Sequence, residues 1–258
     1  MSALTATVAG VGFWSQGLPD WAAAQAFAAT GMLPDGAPAR PSPQLLAPNE
    51  RRRAPASVAV ALEVALAACQ AAGRDPATLP SVFASTHGEL AITDYMCETL
   101  AQDPSAISPT KFHNSVHNAA AGYWTIGAGC TAATTAISAF DATFAQGLLE
   151  ALLQPAAGAE AVLLVAYDAA SVGLLATMSP SEGLLGGALV LTRDGEGPRL
   201  AATLRDGEAA GGTGPLAAHV PGNAMAQMLP LFDALATGCT GAVLRAGPHR
   251  ALALEILR

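Results

Sequence analysis

Charge is what this sequence has least of. Only 12% of its 258 residues are charged, and Lys111 is its single lysine. Lys and Arg number 12 against 20 Asp and Glu, a formal charge of -8, so no field draws the chain to nucleic acid or anionic lipid. The run Arg51-Arg52-Arg53 is too short for a nucleic-acid arm and reads as a solvated or helix-flanking turn. Aromatic residues make up 5%. The four cysteines, Cys69, Cys97, Cys130 and Cys239, are widely spaced with no C-x-x-C, which signals neither a disulfide framework nor a zinc site. They read as reduced thiols of a cytoplasmic protein. There is no Walker A pattern and no G-x-S-x-G nucleophile elbow. The opening MSALTATVAGVG lacks the basic start and cleavage site of a secretory signal, so export is not expected. The longest uncharged stretch, Phe112 to Phe140, is interrupted by Asn114, His117, Asn118, glycines and threonines, so it is expected to be soluble rather than membrane-spanning.

Apolar mass is abundant. Hydrophobic residues are 52% of the chain and the mean hydropathy is +0.38, which excludes disorder. Strand-like runs stand at Ala6 to Val11, Ser81 to Ser85, Thr134 to Ala139, Ala161 to Tyr167, Gly187 to Thr192, Leu200 to Leu204, Gly241 to Leu244 and Ala251 to Ile256. Helical patterns occupy Pro19 to Ala29, Ala54 to Ala72, Glu89 to Gln102, Ser115 to Ile126, Asp141 to Leu153 and Gly222 to Ala236. This alternation predicts an α/β protein with a mainly parallel, helix-covered mixed sheet. Ala54 to Ala72, apolar almost all round, should be deeply buried. The proline-rich stretch Leu33 to Pro48 should be an ordered loop, and Gly195 to Gly214 is a second irregular zone.

Individual motifs are weak. Gly10-Val-Gly12 follows the first strand as a dinucleotide-binding turn would, but Ser15 takes the third glycine's place and no acidic residue stands about twenty positions on. Gly127-Ala-Gly129-Cys-Thr-Ala132 fits G-x-G-x-x-A in the reverse structural context, helix before and strand after. No cofactor is expected. His113 and His117 have the i,i+4 spacing of a metal pair but no third ligand nearby, so helix-start hydrogen bonding or packing suits them better. Cys130 lies in a small-residue context and reads as a buried, inert thiol.

From Leu46 onward the order of features resembles the N-terminal half of a β-ketoacyl synthase of the thiolase-like superfamily. The pieces are Pro48-Asn-Glu-Arg-Arg-Arg53, the Ala-rich helix, the strand Val82 to Ser85 ending in Thr86-His-Gly88, Ser108-Pro109, and Asn118-Ala-Ala-Ala-Gly-Tyr-Trp-Thr-Ile126. Further on, Ala161 to Tyr167 resembles the next core strand and Glu182 to Leu191 the stretch that closes the first half. The resemblance covers roughly residues 5 to 193. It implies a truncated thiolase-like fold in one ketosynthase-like domain over 1–258, with 1–193 as the thiolase-like half and 194–258 as a shortened extension completing the sheet. Laid on without gaps, the family's nucleophilic cysteine falls on Asp141, and a carboxylate cannot form the acyl thioester. The family's HGTGT and NxFGFGG segments do not occur.

The family member that lacks the cysteine and pairs with an active ketosynthase is the chain length factor, and half-length versions resemble those of aryl polyene clusters. The resemblance therefore implies no catalytic residue, a heterodimer with a full-length β-ketoacyl synthase, and only indirect contact with acyl carrier protein. Thr134, Thr135, Ala136, Ile137 and Ser138 would form the partner interface, and Lys111, Phe112 and His117 would line the acyl tunnel. Lys111 would either close the tunnel's end or snorkel to water. Asp141 is expected to be structural, by itself a helix N-cap. Two other functions stay open: a small acyl-thioester enzyme using Cys130 or a serine with one of the histidines, and a homodimeric acyl-binding module.

Overall fold

The structure, a computed structural model, describes residues 3–258. Eight strands form a single sheet: β1 (Leu4–Ser15), β2 (Ser81–Ala84), β3 (Thr134–Ile137), β4 (Ala161–Asp168), β5 (Leu185–Thr192), β6 (Arg199–Asp206), β7 (Gly241–Gly247) and β8 (Arg250–Leu257), in the order β3-β2-β4-β5-β1-β6-β8-β7. The helices are α1 (Trp21–Thr30), α2 (Pro48–Arg53), α3 (Ala56–Ala71), α4 (Leu90–Gln102), α5 (Pro109–Asn114), α6 (Ala119–Ala128), α7 (Thr143–Ala156), α8 (Pro215–His219) and α9 (Leu229–Thr237). All eight expected strands form. Residues Leu33 to Ala47 carry no regular element, as the prolines require.

The expectation of a mainly parallel sheet is corrected. Only β2 with β3 and β2 with β4 run parallel; the other five pairings are antiparallel. Alternating strands and helices suggested repeated crossovers, but β1 inserts between β5 and β6, antiparallel to both, through contacts that span most of the chain. Local patterning cannot reveal such a pairing.

Side chains alternate faithfully across the sheet. On β4, buried along its whole length, Val162, Leu164 and Ala166 join one core while Leu163, Val165 and Tyr167 join the other. The first core holds α7 and α9, with Phe144, Leu148, Leu152 and Phe232. The second holds α3 and α6, with Leu62, Val64 and Trp124. The sheet curls round α7 far enough for β7 to meet the turn that follows β3.

Gly10 and Gly12, weighed above as a nucleotide turn, lie mid-strand in β1 instead. They let the backbone of α3 lie directly on the sheet: a Cβ on Gly12 would stand 2.0 Å from Val64 O, and one on Gly10 2.2 Å from Ala68 O. The obstructing atoms are main chain and cannot swing aside. Gly12→Ala is therefore expected to lower stability by about 1–3 kcal/mol, the cost of overpacking. Chemical denaturation checks this, and an unchanged midpoint would refute the packing argument.

Candidate functional site

The parallel strands β2, β3 and β4 end together, and polar side chains gather at their carboxyl ends, where open α/β sheets place their sites. Asp168, the last residue of β4, is buried. Its carboxylate accepts hydrogen bonds from Ser85 Oγ at 2.7 Å, from Thr86 N at 3.0 and 3.1 Å, and from His87 N at 3.3 Å. It thereby ties the end of β2 to the end of β4. Burial pushes its pKa up, and these hydrogen bonds pull only partly the other way. Ser138 Oγ donates to Thr86 O at 3.0 Å, His117 Nε2 donates to Ser85 O at 2.7 Å, and His87 Nε2 shares a 2.6 Å hydrogen bond with Ser179 Oγ. One polar chain thus joins β3, the Ser85–His87 turn and the loop after β4.

The turn between β3 and α7 holds Asp141. It lies in a 3-10 turn, Phe140–Ala142, whose first residue has a left-handed backbone, φ 53, unusual for a bulky side chain. The Phe140 carbonyl is held from two directions, by Thr143 Oγ1 at 2.7 Å and Gln227 Nε2 at 3.2 Å. Gln227 Oε1 accepts the Phe144 N–H at 3.1 Å, capping α7. Asp141 is no N-cap, contrary to the sequence reading: neither the 3-10 turn nor α7 has a side-chain cap from it. Its carboxylate instead reaches Arg245 Nη2 on β7 at 2.9 Å, half-exposed. Such a pair contributes about 0.2–1 kcal/mol. The arrangement offers a paired carboxylate, not a sulfur nucleophile, and the Phe144 N–H of the same turn is taken by Gln227.

The other sequence candidates separate spatially. Thr134, Thr135, Ala136 and Ile137 make up β3, an edge strand with alternating exposure, and Ser138 follows it. Lys111 and Phe112 lie on α5, and Ser108 Oγ accepts the Lys111 N–H at its start. The Lys111 ammonium sits 3.4 Å over the Tyr95 ring, a cation–π contact that neither alternative for this residue anticipated. Phe112 is exposed. His113 packs edge-on to Tyr123 while His117 bonds Ser85 O, so the two imidazoles have separate partners. Cys130 is buried, its thiol facing Leu79 O at 3.5 Å. Burial pushes the Cys69 thiol up to about 12, with nearby Asp75 and Cys130 adding to the shift. The Ser179–His87 pair lacks an orienting third group, because His87 Nδ1 is buried without a partner. Sequence reasoning missed Asp168, Arg245 and Gln227; the strand-terminal position of Asp168 was the one available signal.

Among the described residues, no helix is long and apolar enough to cross a membrane, and no group of three or more His, Cys, Asp or Glu is placed to hold a metal. The site therefore sits on a curled mixed sheet between two helical layers, at the Phe140–Ala142 turn where the parallel strands end. Residues 20–248 match the model of the beta-ketoacyl synthase N-terminal domain, and the chain belongs to that family. No curated protein matches the chain.

Among solved structures, a ketosynthase in complex with its chain length factor from Xenorhabdus doucetiae superimposes with TM-score 0.76 at 24% identity, covering 98% of this chain and 99% of that one. The ishigamide ketosynthase/chain length factor gives TM-score 0.70 at 17% identity, covering 98% and 100%. A beta-ketoacyl synthase from Burkholderia phymatum gives 0.57 at 14% identity, covering 91% and 71%.

Asp168 makes stability pH-dependent. Its folded pKa lies above its unfolded value, so the proton it takes up on folding favours the native state at low pH. That contribution is lost as pH rises from about 4 through the folded value. Glu63 and Asp233 are raised in the same sense by burial, so the wild type must be compared with Asp168→Asn. Urea unfolding between pH 4 and 8 is expected to show a shallower decline for the variant; parallel profiles would refute the assignment.

Proposed function

We propose that this chain is a non-catalytic, chain-length-factor-like subunit that pairs with a full-length β-ketoacyl synthase and shapes its acyl tunnel during aryl polyene or related chain elongation in the cytoplasm. The observation that carries this is the β3–α7 turn: where the family's nucleophile falls, Asp141 is ion-paired to Arg245 and the N-terminal turn of α7 is capped by Gln227. Two ketosynthase/chain length factor complexes each contain a chain that matches this one end to end, which supports a half-length subunit. On this reading residues 194–258 supply from within the chain what seals α7.

β3 would pair across a two-fold axis with the ketosynthase. The exposed Phe140 follows β3 in the chain, and the loop after β4 exposes Leu174 and Met178, at 86% and 77%. Phe112 on α5 would reach toward the partner's acyl tunnel, and acyl carrier protein would dock on the ketosynthase. The acyl-thioester enzyme reading is disfavoured by the burial of Cys130. A homodimeric acyl-binding module is the outcome the first experiment distinguishes.

Native mass spectrometry of the tagged protein from its own host is expected to show a 1:1 complex with a full-length ketosynthase. Ala136→Arg, on the exposed side of β3, should dissociate it with the chain still folded. A homodimer alone would overturn the subunit assignment. In the reconstituted complex, Asp141→Ala should keep activity comparable to wild type, while Phe112→Ala should shift products to longer chains. Total loss in a folded Asp141→Ala complex would refute the non-catalytic role, and an unchanged product distribution would remove Phe112 from the tunnel.

A further inference from the structure

The helix that carries Phe112 has little of its own to hold it. α5 is six residues long, too short to stand alone, and every residue in it but Asn114 is exposed. Its capping hydrogen bond, from Lys111 N to Ser108 Oγ, is long at 3.4 Å. Two contacts with tyrosines grip it instead. The Lys111 ammonium stands 3.4 Å over the Tyr95 ring on α4, and the His113 ring packs edge-on to Tyr123 on α6 with 6.0 Å between centroids. Residues two apart on a helix point about 200° apart, so α5 is spanned between the two tyrosines. Phe112 stands between Lys111 and His113 in the chain and is 60% exposed. Lys111 is the one lysine of the sequence, and among the described residues no carboxylate forms an ion pair with it. The Tyr95 ring is therefore what orients its charge.

We infer that the contact between Lys111 and Tyr95 sets the position of Phe112 and through it the length of the product. Both are positioning residues, and the inference rests on the proposed place of Phe112 toward the partner's acyl tunnel. A phenylalanine on a loosely held short helix is a poor stop, because each position of the helix admits a different chain length. The negative face of an aromatic ring attracts an ammonium at close range, which fixes both the side and the distance at which α5 meets α4. Methionine at position 111 would keep an apolar stem and lose the attraction, whereas arginine would keep the attraction. Without the contact, α5 stays joined to α6 through His113 and pivots away from α4, carrying Phe112 aside.

Because the chain has a single lysine, protein labelled with 13C-lysine gives one ε-methylene NMR signal, which reads the contact with no partner present. That signal is expected upfield of free lysine under the Tyr95 ring, to stay there in Tyr95→Phe and to move to the free position in Tyr95→Leu. In the reconstituted complex with the ketosynthase, Lys111→Met and Tyr95→Leu should each shift products to longer chains, while Lys111→Arg and Tyr95→Phe keep the wild-type distribution. The Lys111→Met/Tyr95→Leu double variant should go no further than either single one, as two halves of one contact require. A lysine signal at the free position in the wild type, additive shifts in the double variant, or wild-type products from Lys111→Met and Tyr95→Leu where Phe112→Ala lengthens them, would overturn the inference and leave the subunit reading standing. Unchanged products from Phe112→Ala would instead remove Phe112 from the tunnel, and this inference with it.

Discussion

The N-terminus of α7 governs this structure. A helix leaves its first N–H groups without partners, and a helix as buried as α7 cannot leave them to water. Its own sequence provides little: Ala142, the cap residue, has no side chain to offer, and Asp141 points elsewhere. A partner comes instead from far along the chain: Gln227 takes the Phe144 N–H, while the Gln146 side-chain amide on α7 donates to the Ala246 carbonyl and holds β7 against the helix. The curl of the sheet round α7 and the position of residues 223–247 follow from this requirement. So does the left-handed Phe140, whose backbone strain is offset by the two donors on its carbonyl.

The elements were readable because each strand is an apolar run bounded by turn residues, and β4 and β5, buried along their full lengths, give the most continuous runs. Their pairing was not readable. The neighbours of β1 are β5 and β6, nearly two hundred residues away, and no local pattern records such a partner. The same limit hid the site. Asp141 followed by a helical pattern looks like an N-cap in sequence, and only the approach of β7 reveals Arg245. Gly10 and Gly12 were visible as glycines, but the close approach of α3 that requires them belongs to tertiary structure. Pro230 divided the expected Gly222 to Ala236 helix, leaving a 3-10 turn at Ala224–Met228 before α9.

Asp168, at the carboxyl end of β4, plays a part comparable to that of Gln227. Three consecutive residues, Ser85, Thr86 and His87, give their donors to one buried carboxylate, which sets the direction in which the chain leaves β2. From that turn Thr86 holds Ser138 and His87 holds Ser179. The edge strand and the loop after β4 are therefore positioned by a shared anchor.

The two edges of the sheet are treated differently, and the difference bears on function. β7 is blunted by the means edge strands commonly use: a bulge between Arg245 and Gly247, a charged side chain in that bulge, and a carbonyl already taken by Gln146. β3 has none of these. Its sequence, Thr-Thr-Ala-Ile, is uncharged and β-prone, and shortness is its one protection. In a chain with so few charges, an undefended edge followed by the exposed Phe140 is a liability unless it is covered. With β7 protected and β3 not, β3 is the side of the sheet left to be covered.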